Sequence, residues 1–99
     1  MRMGTTPTHT FELPEELSGV VAKVRVIYKQ GDSVVLKKET DAVQGNRISF
    51  KLTQKETLKF MPTAPVSLQV RALTTGGDSL ASDIITVSVY QCLEDEVFL

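Results

Sequence analysis

Tryptophan is absent from this chain, and cysteine and histidine each occur once. A single cysteine, Cys92, excludes an internal disulfide and with it the stapled scaffolds of small secreted domains. One histidine and one cysteine fall short of the three or four closely spaced ligands of a zinc site. Aromatic residues make up only 6% of the chain, so the core must rest on Val, Leu and Ile. Neither sign of charge dominates. The formal net charge is -1, which gives no global attraction to nucleic acid or to an anionic membrane. No apolar run approaches the roughly 18–20 residues that a membrane helix needs. The opening stretch MRMGTTPTHTF has no apolar h-region, so it predicts no signal peptide, and synthesis and folding in a cytoplasm.

What is present is strand. A length of 99 residues with 41% hydrophobic content suits one globular domain spanning residues 1–99. The clearest signal is a period of two. Val20, Ala22, Val24, Val26 and Tyr28 share one parity, with Lys23, Arg25 and Lys29 on the other, although Val21 and Ile27 interrupt the polar face. β-branched residues at that period predict a half-buried strand. Arg47–Leu52 repeats the pattern through Ile48, Phe50 and Leu52. Val66–Thr74 repeats it through Val66, Leu68, Val70 and Ala72, and Ile85, Val87 and Val89 do so near the end. Thr8–Leu13 reads as a first strand with Phe11 and Leu13 inward, and Ser33–Glu39 as a shorter, weaker one. Gln30-Gly31-Asp32-Ser33, Gln44-Gly45-Asn46 and Thr75-Gly76-Gly77-Asp78 are turns.

One segment departs from this pattern. Thr53 is followed three residues later by Glu56, the spacing of a capping box. It predicts one or two helical turns within Thr53–Phe60, ending before Pro62. Leu52 and Thr57 take the staple positions, and Thr57 is a poor apolar partner there. Six to seven short strands with this helical crossover predict an all-β, immunoglobulin-like β-sandwich. The tight Gly31-Asp32 turn requires its flanking strands to pair in one sheet, so a meander with a closing hairpin is an alternative topology.

Candidate chemistry is sparse. Any Ser-His-Asp or Cys-His site would have to use His9, which lies in a polar N-terminal segment with no positioned partner in view. A reactive thiol wants basic neighbours, yet Cys92 precedes Leu93-Glu94-Asp95-Glu96, which raises its pKa; a small apolar residue at the sandwich rim is the better reading. Glu15-Glu16 and Glu94-Asp95-Glu96 lack the loop spacing of calcium ligands and read as solvated segments. Gly76-Gly77 lacks the following lysine and helix of a phosphate loop. No catalytic residue, metal site or cofactor is expected.

Charge placement says more. Lys23, Arg25, Lys51 and Arg71 fall on predicted strands with outward parity. Outward Lys and Arg are ordinary on a solvated sheet face and guard against edge-to-edge pairing. The alternative is a contact surface for an acidic partner. The segment 93–99 carries Leu93, Val97, Phe98 and Leu99, too apolar for a free tail, so it packs back or docks on a neighbour. Residues 1–7 and 93–99 are expected to be flexible or docking tails. The candidate contact residues are therefore Lys23, Arg25, Lys51, Arg71, Val97, Phe98 and Leu99.

The stretches TTPTHTFELP, YKQGD, LTQKETLKF, SLQVRALTTGGDSLASDIITVSV and CLEDEVF together resemble a group of short phage and prophage proteins. These are small, β-rich and encoded among virion structural genes. The resemblance covers nearly the whole chain and is most specific at Leu52-Thr53-Gln54, Glu56-Thr57-Leu58, Phe60 and Leu68-Gln69-Val70-Arg71. It implies a non-enzymatic structural or assembly role, with other virion proteins or further copies of the chain as partners. No nucleic acid, membrane or small-molecule substrate is expected. The competing expectation is a carbohydrate-binding or host-surface adhesion module. Such sites present aromatic platforms, and the only tyrosines, Tyr28 and Tyr90, stand at strand ends.

Overall fold

A computed structural model describes all residues, Met1–Leu99. Seven strands form two antiparallel sheets: β1 (Thr8–Glu12), β2 (Val21–Gln30), β3 (Ser33–Thr40), β4 (Arg47–Lys51), β5 (Val66–Thr74), β6 (Ser79–Ala81) and β7 (Ile85–Val87). A 3₁₀ turn at Glu15–Leu17 follows β1, and a short helix, α1 (Gln54–Thr57), lies between β4 and β5. The smaller sheet is β1–β4. The larger runs β3–β2–β5–β6, with β7 also paired to β5. The architecture is the expected all-β sandwich, and no helix is long and apolar enough to cross a membrane.

Strand parity builds the core. Val24, Val26 and Tyr28 from β2 and Val66, Leu68, Val70 and Ala72 from β5 face inward. Ile48 and Phe50 of β4, with Leu52 just beyond it, meet them from the smaller sheet. The hairpin β2–β3 closes with Gln30 opposite Ser33. Gly31 stands between them at a φ of 59°, a left-handed conformation that a side chain would strain. As the turn length requires, both strands lie in one sheet.

Several expectations need correction. Strand β2 begins at Val21, and a register shift between Val21 and Lys23 reverses its parity there. Val21 therefore packs against the core, while Val20 and Ala22 are exposed. Strand β3 extends to Thr40 and is no weaker than its neighbours. Val89 is buried but lies outside β7, which ends at Val87. Tyr28, by contrast, is fully buried, in keeping with its inward parity.

The capping box forms. Thr53 Oγ1 accepts the Glu56 N–H at 3.1 Å, and Glu56 Oε1 accepts the Thr53 N–H at 2.8 Å. Thr57, poor as an apolar staple, is fully buried and donates its hydroxyl to the Thr5 carbonyl at 2.8 Å. A polar staple thus ties α1 to the N-terminal segment. Lys38 reaches across from β3 and donates to Glu56 Oε1 at 2.9 Å. Partial burial pushes the Glu56 carboxyl up, but the bond from the Thr53 N–H and the Lys38 ammonium outweigh it and hold its pKa below the ordinary value. A depressed carboxylate contributes stability above its unfolded pKa and loses it as pH falls through the folded value. Glu56→Gln should therefore cost about 1 kcal/mol at neutral pH. That deficit should close in acid. Urea unfolding of both proteins across an acid pH series measures it.

Residues 1–7 dock. The Met1 ammonium donates to the Ser88 carbonyl at 2.8 Å, the Tyr90 N–H to the Met1 carbonyl at 2.8 Å and the Met3 N–H to the Tyr90 carbonyl at 3.0 Å. This parallel pairing covers Val89. The molecule measures 45 × 30 × 17 Å with a radius of gyration of 14.5 Å. A compact chain of this length has roughly 13 Å. The excess goes with the long 45 Å axis.

Candidate interaction surfaces

The uncovered part of the larger sheet forms the first surface. Leu80 lies opposite Ala72, and Ile85 lies opposite Leu68. Both partners point into the core, so Leu80 and Ile85 are on the inner face as well. Yet they are 41% and 44% exposed. The smaller sheet stops short of them, leaving an apolar groove of about 570 Å³. Phe11, Leu13 and Leu17 form one wall, and Val70, Ala72, Leu80 and Ile85 the floor.

The edge of β1 overhangs this groove with its main chain unpaired. The Leu13 N–H donates to the Asn46 carbonyl at 2.7 Å, and the Pro7 carbonyl accepts the Leu52 N–H at 2.9 Å. Odd residues of β1 thus bond toward β4. By the alternation of a strand, the N–H and C=O groups of Thr8, Thr10 and Glu12 point away from β4, and Thr10 and Glu12 lie at the groove. The other edges are blunted. Strand β3 carries Lys37 and Lys38, and the Lys38 ammonium caps the Lys51 carbonyl of β4 at 2.7 Å. Between Ala81 and Ile85 the outer strand holds one more residue than β5 does between Leu68 and Arg71. There the Ser82 hydroxyl takes the place of a ladder carbonyl and accepts the Val70 N–H at 3.0 Å. No such device protects β1.

The second surface lies on the outer face of the larger sheet. Lys23, Arg25 and Arg71, all anticipated, come together there with Glu39 and Ser79. Arg25 sits opposite Arg71 in register, and Glu39 Oε1 lies 3.2 Å from Arg25 and 3.7 Å from Lys23. Arg71 donates instead to the Ser79 hydroxyl at 2.9 Å. One carboxylate thus stands among three cations and pairs with two of them. These groups are well exposed, so the pairs add little stability.

Lys51 does not join this cluster. It lies on β4, in the smaller sheet, beside Thr6, Gln54 and Val97. Here the segment 93–99 meets the domain. Gln54 donates its amide to the Phe98 carbonyl at 3.0 Å and accepts the Phe98 N–H at 2.6 Å. A side chain thus stands in for a neighbouring strand. Only the main chain of Phe98 is held; the residue is 75% exposed, and Leu93 and Leu99 are fully exposed. Gln54→Ala should release the segment without lowering the melting temperature. Hydrogen exchange at the Phe98 amide, slow in the parent and fast in the variant, checks this.

His9 is committed to structure. Its Nδ1 lies 2.6 Å from the Tyr28 hydroxyl, at the contact between the two sheets. Burial, and secondarily the positive N-terminus, hold its pKa below the ordinary value, so the neutral ring is favoured. Burial, and secondarily the Glu56 carboxylate, push the Tyr28 phenol up and keep it protonated. A neutral phenol donating to a neutral imidazole fits both shifts.

Sequence reading missed the groove. Its floor residues carry a strand signal, but the signal does not say which inner-face residues lack a cover. Nothing local in the sequence marks the groove. Compared with protein-family models, with curated proteins and with solved structures, the chain matches none.

Proposed function

We propose that this chain is a non-enzymatic assembly module that works through protein–protein contacts, as a structural component of a phage or prophage particle. The observation that carries the contact role is the unprotected β1 edge above an apolar inner face, with Leu80 and Ile85 exposed beside it. Exposed apolar inner-face residues beside free strand donors and acceptors favour strand addition by another chain. The only histidine supports a non-catalytic reading, because its Nδ1 bonds the buried Tyr28 phenol. The particle assignment rests on the sequence resemblance alone. It is tested by mass spectrometry of purified particles induced from a lysogen carrying the gene. The chain should be present in fixed ratio to the major structural proteins. Particles complete in every other protein but lacking it would refute the virion role.

A further inference from the structure

We propose, resting on the assembly reading above, that the outer face of the larger sheet receives the acidic stretch Glu94-Asp95-Glu96 of a second copy of this chain. Charge selects the occupant. The outward residues of β2, β3 and β5 bring Lys23, Arg25, Lys29, Lys37 and Arg71 onto this face with one carboxylate, Glu39. The whole chain has a formal net charge of -1, so the rest of the molecule is acidic. Lys23 and Lys29 stand about 20 Å apart along β2 at the rise of a strand. Beyond them, the turns at the two ends carry Asp78 and Asp32. A long polyanion would run onto these carboxylates, and no aromatic ring on the face offers a base a stacking platform. A short acidic segment fits between them.

The segment is presented for such a contact. Its start is held where the Arg2 guanidinium donates to the Gln91 carbonyl at 2.7 Å, and its end where Gln54 pairs with the Phe98 main chain. Between these ties Leu93, Glu94, Asp95 and Glu96 are exposed, and none of the three carboxylates has an ion-pair partner in its own copy. An arch fixed at both ends loses less freedom on binding than a free tail. The face has a matching demand. Arg25 and Arg71 lie directly opposite, an unfavourable pairing of like charges, and Glu39 reaches Arg25 but leaves Arg71 without a carboxylate. Further along β2, a dimple of about 130 Å³ opens between Ile27, Gln69 and Ile84. In an extended segment Leu93 and Asp95 share a side about 7 Å apart, the separation of Ile27 from Arg25 along β2. Leu93 would thus enter the dimple as Asp95 meets Arg25 and Arg71. Arch and face belong to different sides of one copy, since Val97 lies beside Lys51 of the smaller sheet. The contact is therefore head-to-tail and builds rings or filaments.

Complementation tests this. One full-length variant carries Glu94→Gln, Asp95→Asn and Glu96→Gln; the other carries Lys23→Gln and Arg71→Gln. All five positions are exposed, and far-ultraviolet circular dichroism checks folding. In sedimentation velocity at low salt the parent should associate, each variant alone should be monomeric, and the mixture should form dimers only. Association of the parent should be lost in about 1 M salt, where charges are screened beyond about 3 Å. A monomeric parent overturns the proposal, also where that parent binds polyglutamate or duplex DNA instead. Variants that associate like the parent, a mixture that stays monomeric, or association indifferent to salt would each overturn it as well. An independent arm needs no substitution. Concentration-dependent amide shifts in the ¹⁵N-labelled parent should cluster at Lys23, Arg25, Arg71 and residues 93–96; shifts confined elsewhere would overturn it. Association that survives both variants overturns the charged contact but leaves the assembly reading standing. Particles that lack the chain refute the virion role, whatever this face does.

Discussion

Phe60→Ala should bring the protein close to global unfolding, with a loss of about 3–5 kcal/mol. Phe60 is almost wholly buried and meets the Tyr28 ring edge-on, with centroids 5.7 Å apart. It joins the helical crossover to the central strand β2. Only 15 of the 99 residues are buried, so no neighbouring cluster can take over its role. Domains of this size hold roughly 5–15 kcal/mol in total. Losing the edge-on pair adds about 1 kcal/mol to the cavity cost. Tyr28→Phe is the matched control. It keeps the ring against Phe60 and removes only the hydroxyl beside His9, so it should cost about 1 kcal/mol. Urea midpoints at constant slope measure both. Equal losses in the two variants would show that the hydroxyl pair, rather than ring packing, dominates this part of the core.

Gln30→Glu should cost about 3 kcal/mol at neutral pH, from a change of one atom. Gln30 is buried at the end of β2 and organises the loop after α1. Its amide nitrogen donates to the carbonyls of Met61 at 2.7 Å and Ala64 at 2.9 Å, and its oxygen accepts the Met61 N–H at 2.8 Å. A carboxylate there would set an anionic oxygen against two carbonyls with no proton between them. The cheaper state is the protonated acid, so the folded pKa of the introduced carboxyl should exceed its unfolded value. Between those values the folded state holds more protons, and stability falls as pH rises. The deficit should therefore be smallest in acid and grow toward neutrality. Parallel urea unfolding of parent and variant over that range provides the measurement. A pH-independent deficit would mean that the loop rearranges and admits water to the carboxylate.

A carboxylate thus stabilises the fold at position 56 and destabilises it at position 30. The charged form of Glu56 accepts from the Thr53 N–H and from Lys38, so its ionisation favours the folded state. The charged form of the acid introduced by Gln30→Glu finds two carbonyls, so its ionisation favours the unfolded state. The type of partner, more than the depth of burial, decides the sign.

Much of this was legible along the chain. The parity of Val24, Val26 and Tyr28, and of Leu68, Val70 and Ala72, named the inward face before any fold was known. A period of two assigns faces locally. Gly31-Asp32 placed β2 and β3 in one sheet, and Thr53 with Glu56 placed the helical turn. Other features were not legible. Gln30 reads as a polar residue before a turn, and nothing local shows the loop that folds over it. Tyr28 reads as inward by parity, but nothing local shows that His9 of β1 and Phe60 close over it.

The candidate contact residues divide in the same way. Outward parity for Lys23, Arg25 and Arg71 is a local property, and their meeting around Glu39 needed only the pairing of β2 with β3 and β5. Lys51 has the same parity but lies in the other sheet, beside Val97. The sequence by itself determined the faces of the strands, the turns, the capped helix and the poverty of catalytic groups. All of these depend on neighbours within a few residues. Only the tertiary structure decided the partition of strands into five and two. Sheet membership depends on long-range pairing, which a period of two does not encode. That partition leaves Leu80 and Ile85 uncovered beside the free edge of β1.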